Sequence, residues 1–152
     1  MKSFSSNIER QVAIACIALG ICVSAALAPK NAFFVGNFLH FWGPQVPILA
    51  LMFFFRPRAA IVAGIAFSLA MYLSLYGYWV STIDDRSGLI WLGYLFSFPG
   101  AVLGAVLAAI ALPSRPSLGT LALAILAAAF VAIGIALNQA VICNTVMYCG
   151  GK

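Results

Sequence analysis

Charge is what this sequence has least of. Asp, Glu, Lys and Arg make up 7% of its 152 residues, whereas 64% are apolar; a soluble domain averages about 25% charged residues. Eight basic and three acidic side chains do not suffice for a water-facing surface, so lipid is the main solvent. The basic residues fall singly between apolar runs and form no stripe that tracks a phosphate backbone, which excludes a nucleic-acid partner.

Histidine occurs once, at His40, so bis-histidine haem ligation within one chain is excluded. Neither cysteine pair is CxxC and no cysteine–histidine spacing suits zinc, so no metal and no cofactor is expected. No Asp, Glu, Lys or Arg falls inside an apolar stretch, which argues against charge-coupled transport. Serine-nucleophile signatures and phosphate-cradling glycine loops are missing. Asp84 and Asp85 are adjacent and followed by Arg86, an arrangement of solvated loop acids rather than a catalytic pair. The expectation is a protein that is not an enzyme, with no catalytic residue.

What the sequence has in abundance is apolar length. Crossing about 30 Å of hydrocarbon takes roughly 20 residues at 1.5 Å each, and five stretches qualify: about 12–28, 36–55, 59–79, 89–112 and 120–142. The predicted fold is an all-α, polytopic membrane helix bundle, a single domain over 1–152 without linker, soluble domain or clear repeat. Basic residues set the expected orientation. With the N-terminus inside, Lys2, Arg10, Arg56, Arg58 and Arg115 are cytoplasmic, while Lys30, Arg86 and Lys152 are outside. Trp42, Trp79 and Trp91, with Tyr76, Tyr78 and Tyr94, then share the outer headgroup level that aromatic rings favour. This N-in, C-out threading puts the C-terminal tail outside, which is the periplasm if the membrane is a bacterial inner membrane, as is taken here. A competing reading takes the first stretch, ending in Ser-Ala-Ala-Leu-Ala, as a cleaved signal that leaves four helices. Its length and Pro29 speak against that.

Small residues recur every fourth position, where they share a helix face and let backbones approach in lipid. The rows are Cys16, Gly20, Ser24, Ala28; Gly93, Ser97, Ala101, Ala105, Ala109 beside Gly100, Gly104, Ala108; and Ala124, Ala128, Ala132, Ala136, Ala140. Gly93, Ser97, Gly100, Gly104, Ala128 and Ala132 are the expected helix-packing positions. They serve either contacts within the bundle or docking of a partner or second copy. Cys16 and Cys22 lie about 240° apart around a helix and do not bridge. Cys143 and Cys149 flank a polar tail and are a candidate disulfide in an oxidising compartment.

One stretch interrupts the pattern: Asn-Phe-Leu-His-Phe-Trp-Gly-Pro-Gln-Val-Pro, residues 37–47. Pro44 and Pro47 lack amide hydrogens and disfavour helical geometry at the residues before them, so a kink is expected between Gly43 and Pro47. Counting back from Arg56 puts Gln45 roughly 16 Å deep and His40 roughly 24 Å. Asn37, His40, Gln45, Asn138 and Gln139 would then gather in the outer half as a polar notch, with His40, Gln45, Asn138 and Gln139 the candidate ligand residues. These polar groups either bind a solute or satisfy one another and the kinked backbone.

The function expected from this reading is that of a small non-enzymatic membrane protein. It binds another membrane component, as an accessory subunit or a toxin-immunity or exclusion-type protein, through small-residue stripes or its outer face. The lipid bilayer and a membrane-protein partner or second copy are its expected partners. The alternative is an oligomeric channel or transporter subunit for an uncharged solute, lined by the kinked second helix. A membrane enzyme using His40 as acid–base is the least supported, because no partner group for it is evident.

Overall fold

An apolar run in lipid has no water for its amides, so it closes them on itself as helix. The computed structural model describes residues 2–83, 90–113 and 118–145, with side chains from residue 7 onward, and these are helical without a strand. The acidic pair Asp84–Asp85, Arg86, Arg115, Cys149 and Lys152 lie outside the described residues.

Seven segments follow in order: α1 (Lys2–Leu27), α2 (Phe34–Trp42), α3 (Gln45–Phe55), α4 (Ala59–Ser81), α5 (Ile90–Phe96), α6 (Phe98–Ala111) and α7 (Thr120–Thr145). Four stretches are long and apolar enough to cross a membrane: Asn7–Leu27, Ala59–Ser81, Ile90–Ala111 and Thr120–Thr145. The pair α2 and α3, bent by 40°, makes a fifth if the two count as one span.

Each helix stops for a local reason. Pro29 follows the last turn of α1, and Asn31 Oδ1 then accepts the Phe33 amide at 2.9 Å in a turn that launches α2. α3 ends at Arg56, whose φ of 46° and ψ of 46° are left-handed. It is the one positive-φ residue that is not glycine among the described residues. Pro57 cannot continue the helix, so the chain reverses there into α4. At the far end of α4, the Ser81 and Thr82 hydroxyls donate to the Tyr78 and Trp79 carbonyls, supplying acceptors of the last turn with donors that lipid would not.

The hub is α4, with 56% of its most apolar window buried against 17% for α1 and 22% for α7. α1 and α7 pack against it, and α6 packs against α7. One core cluster, around Ile48, Ile61, Ile65, Leu69, Leu123 and Val131, fills the half of the bundle where α4 begins. A second, around Phe41, Leu73, Tyr76 and Tyr94, fills the half where α4 ends. The two ends thus differ in chemistry. Arg58 opens α4, whereas Tyr76 and Trp79 close it, the Tyr76 ring meeting those of Trp79, Trp91 and Tyr94.

The small-residue rows divide between two uses. Gly20, Ser24 and Ala28 are buried, as are Gly93, Ser97, Gly100 and Gly104. At the α6–α7 seam a methyl on Gly100 would stand 2.2 Å from the Gly134 carbonyl oxygen, so the backbones touch there as small residues allow in lipid. The α7 row goes the other way. Its buried face runs through Leu123, Ala127, Val131 and Ile135, which leaves Ala128 half-buried and Ala132, Ala136 and Ala140 exposed.

Candidate functional site

The bend between α2 and α3 is narrower than the two prolines suggest. It is confined to Gly43 and Pro44, both still in right-handed helical territory. Pro47 sits in the first turn of α3, where a missing amide removes no intrahelical bond. A methyl on Gly43 would fall 2.3 Å from the Leu39 carbonyl oxygen, so glycine permits the close turn ahead of Pro44.

A bend frees backbone acceptors, and a buried carbonyl must find a donor. The Phe41 carbonyl takes two. Tyr94 Oη donates to it at 2.8 Å, and Gln45 Nε2 donates at 3.3 Å. Gln45 Nε2 also donates to Tyr94 Oη at 3.3 Å, closing a three-membered network. Gln45 is 2% exposed and Tyr94 fully buried. Tyr94 thus points into the bundle, where its hydroxyl serves the bend. Gln45 packs toward α1, where its Oε1 lies 3.1 Å from the place a Gly20 methyl would occupy.

A second interruption lies at Ser97, between α5 and α6, two residues before Pro99. The sequence reading runs straight through it. Asn138 Nδ2 donates to the Phe96 carbonyl there. Ser97 Oγ meets Tyr72 Oη, and lies 2.9 Å from the Gly93 carbonyl and 2.7 Å from Gln139 Oε1. A serine hydroxyl has one proton. With Tyr72 donating to Ser97, that proton goes to Gly93 or to Gln139, and the network holds either way. Gln139 Nε2 reaches Cys143 Sγ at 3.8 Å; Cys149, the expected bridge partner of Cys143, is outside the described residues.

The polar residues at the aromatic end of the bundle thus form two networks, one at each bend, rather than a single open notch. The parallel rings of Tyr72 and Tyr94, 5.7 Å apart, join them. His40 belongs to neither. Its ring meets Phe41 edge-on at 5.7 Å, and its buried Nε2 has no hydrogen-bond partner, as has Trp42 Nε1. Among the described residues no carboxylate or hydroxyl hydrogen-bonds to the imidazole. No group of three His, Cys, Asp or Glu side chains suited to a metal occurs among the described residues.

The opposite end holds a constellation that local spacing hides. Glu9 is 6% exposed. Arg10 is its neighbour in sequence, yet its carboxylate pairs with Arg58 Nη2 and accepts Thr120 Oγ1 at 2.8 Å. The Ala60 amide adds a backbone bond. Ala60 is in the first turn of α4 and Thr120 opens α7, so one carboxylate sits at the positive ends of two helices, where orphan amides favour an anion. Arg58 Nη1 also donates to the Leu118 carbonyl at 3.4 Å. Glu9 clamps α1, α4 and α7 together. Its sequence signal was the polar residue at the start of three apolar runs, which the fold brings to one end of the bundle.

Compared with known proteins, the chain matches no family model, no curated protein and no solved structure. The functional reading rests on the geometry.

Proposed function

We propose that this chain is a small non-enzymatic membrane protein that acts by binding another membrane component, with the uncovered face of α7 as the docking surface. The observation that carries this is the turning outward of the Ala132, Ala136, Ala140 row, flanked by exposed Ile133, Leu137 and Val141. A small-residue row flanked by larger apolar side chains is the pattern on which a second transmembrane helix seats. The polar side chains Gln45, Tyr94 and Asn138 support the same reading, since they are engaged with the backbone at the two bends. A channel for an uncharged solute has less support, because Gln45, which would line it, is sealed by Tyr94 and Phe41.

In this reading the bent pair α2–α3 counts as one span, giving five. The arginine end faces the cytoplasm and the aromatic end the outside of a bacterial inner membrane, with a periplasmic tail in which Cys143 and Cys149 pair. The test is site-specific photo-crosslinking in native membranes from positions 136 and 75, the latter an exposed leucine on α4. A discrete protein adduct at 136 and none at 75, abolished by Ala132→Leu, is expected. Lipid adducts alone at both positions would remove the α7 face from consideration.

A further inference from the structure

The arginine end holds a second feature besides the Glu9 clamp: an open groove of about 900 Å³ between α1, α3 and the start of α4. Its volume lies within the range of ligand clefts, about 300–1,000 Å³. The wall is apolar, formed by Ile17, Leu49, Met52 and Val62 among others, and Arg10 and Arg56 stand at its rim. Glu9 is the one carboxylate on the groove, and Arg58, Thr120 and Ala60 already engage it. Arg10 and Arg56 are exposed and form no ion pair among the described residues. An apolar trough that ends in two uncompensated guanidinium groups is complementary to a molecule with a hydrocarbon chain and an anionic head. Phosphate oxygens suit the guanidinium fork, and basic pockets between transmembrane helices take anionic lipid headgroups.

We propose that this groove binds an anionic phospholipid, with an acyl chain along α1 and α3 and its phosphate held by Arg10 and Arg56. The inference is independent of the α7 docking surface, which lies on another helix. The test is native mass spectrometry of the purified full-length protein titrated with phosphatidylglycerol or with phosphatidylcholine of the same chains. Wild-type protein is expected to retain phosphatidylglycerol at about tenfold lower lipid concentration, two arginines each adding to the preference. The double variant Arg10→Gln, Arg56→Gln loses that preference, and the charge-keeping Arg10→Lys, Arg56→Lys pair retains most of it. Circular dichroism checks that both variants fold. Equal retention of the two lipids by wild-type protein overturns the proposal without reference to any variant. So does a preference that survives the glutamine pair, and so does displacement of phosphatidylglycerol by equimolar inorganic phosphate, which marks a free-anion site.

Discussion

Replacing Gly64 by alanine isolates how closely α4 and α7 approach. The added methyl would stand 2.1 Å from the Ala124 carbonyl oxygen and within 3.0 Å of the Ala124 backbone carbons, where ordinary contact begins near 3.4 Å. Backbone cannot rotate aside as a side chain can, so the two helices must part by more than an ångström along their shared seam. That seam carries Ile61, Ile65, Leu123 and Ala127, all essentially excluded from the surface, and parting it loosens each contact. Overpacking of this kind costs about 1–3 kcal/mol, against which alanine returns up to about 1 kcal/mol of helix propensity. A net loss of about 1–2 kcal/mol is expected. Gly36 is the matched control: it too is helical, in α2, and a methyl there meets nothing within 4 Å. Gly36→Ala is expected to be neutral or to stabilise by up to about 1 kcal/mol. The assay is reversible unfolding in mixed micelles of increasing dodecyl sulfate fraction, followed by far-ultraviolet circular dichroism. A Gly64→Ala protein as stable as Gly36→Ala would refute the close-seam argument.

Two further substitutions probe the polar constellations. Glu9→Gln keeps the shape but removes the charge opposite Arg58; breaking a well-buried pair costs about 3–5 kcal/mol, and because the Arg58 side chain is 40% exposed about 1–3 kcal/mol is expected. The same unfolding assay reads it, and an unchanged midpoint would mean the three helix ends hold without the carboxylate. At the first bend, Tyr94→Phe leaves Phe41 with Gln45 as donor and is expected to cost about 1 kcal/mol, close to transmembrane hydrogen bonds generally. Gln45→Leu combined with it should cost more than the two single changes added together, because the carbonyl then has neither donor. Strict additivity of the two would show that they do not share an acceptor.

Much of the architecture was legible because it follows from solvent. Length, hydropathy and proline mark where a lipid-embedded helix starts, stops or bends, and the Pro44 bend and the apolar stretches follow from those. Pro47 was overread, since a proline in a first turn has no bond to break. Pro99 was passed over because the residues around Ser97 read as an uninterrupted small-residue row. Glu9 was missed for a different reason. Its partners are 49 and 111 residues away, and local spacing offers Arg10 instead. Gln45, Asn138 and Gln139 stand out in the sequence by polarity alone, whereas nothing in it marks the Tyr72 and Tyr94 hydroxyls as the groups that meet them at the bends. The α7 face could not be assigned beforehand, because its alanine row repeats as regularly as those that turned inward.

The Glu9 clamp also bears on the order in which the molecule is made. Its carboxylate comes near the start of the chain, its arginine more than a third of the way along, and its threonine hydroxyl at the first residue of the last helix. The clamp cannot be complete until Thr120 has been synthesised, so the first helix gains its last fastening from the last helix. Until then Glu9 has Arg58 and the Ala60 amide as its partners and lacks only the third. A chain cut short before α7 would keep most of its apolar helices and still lack the fastening that joins its beginning to its end.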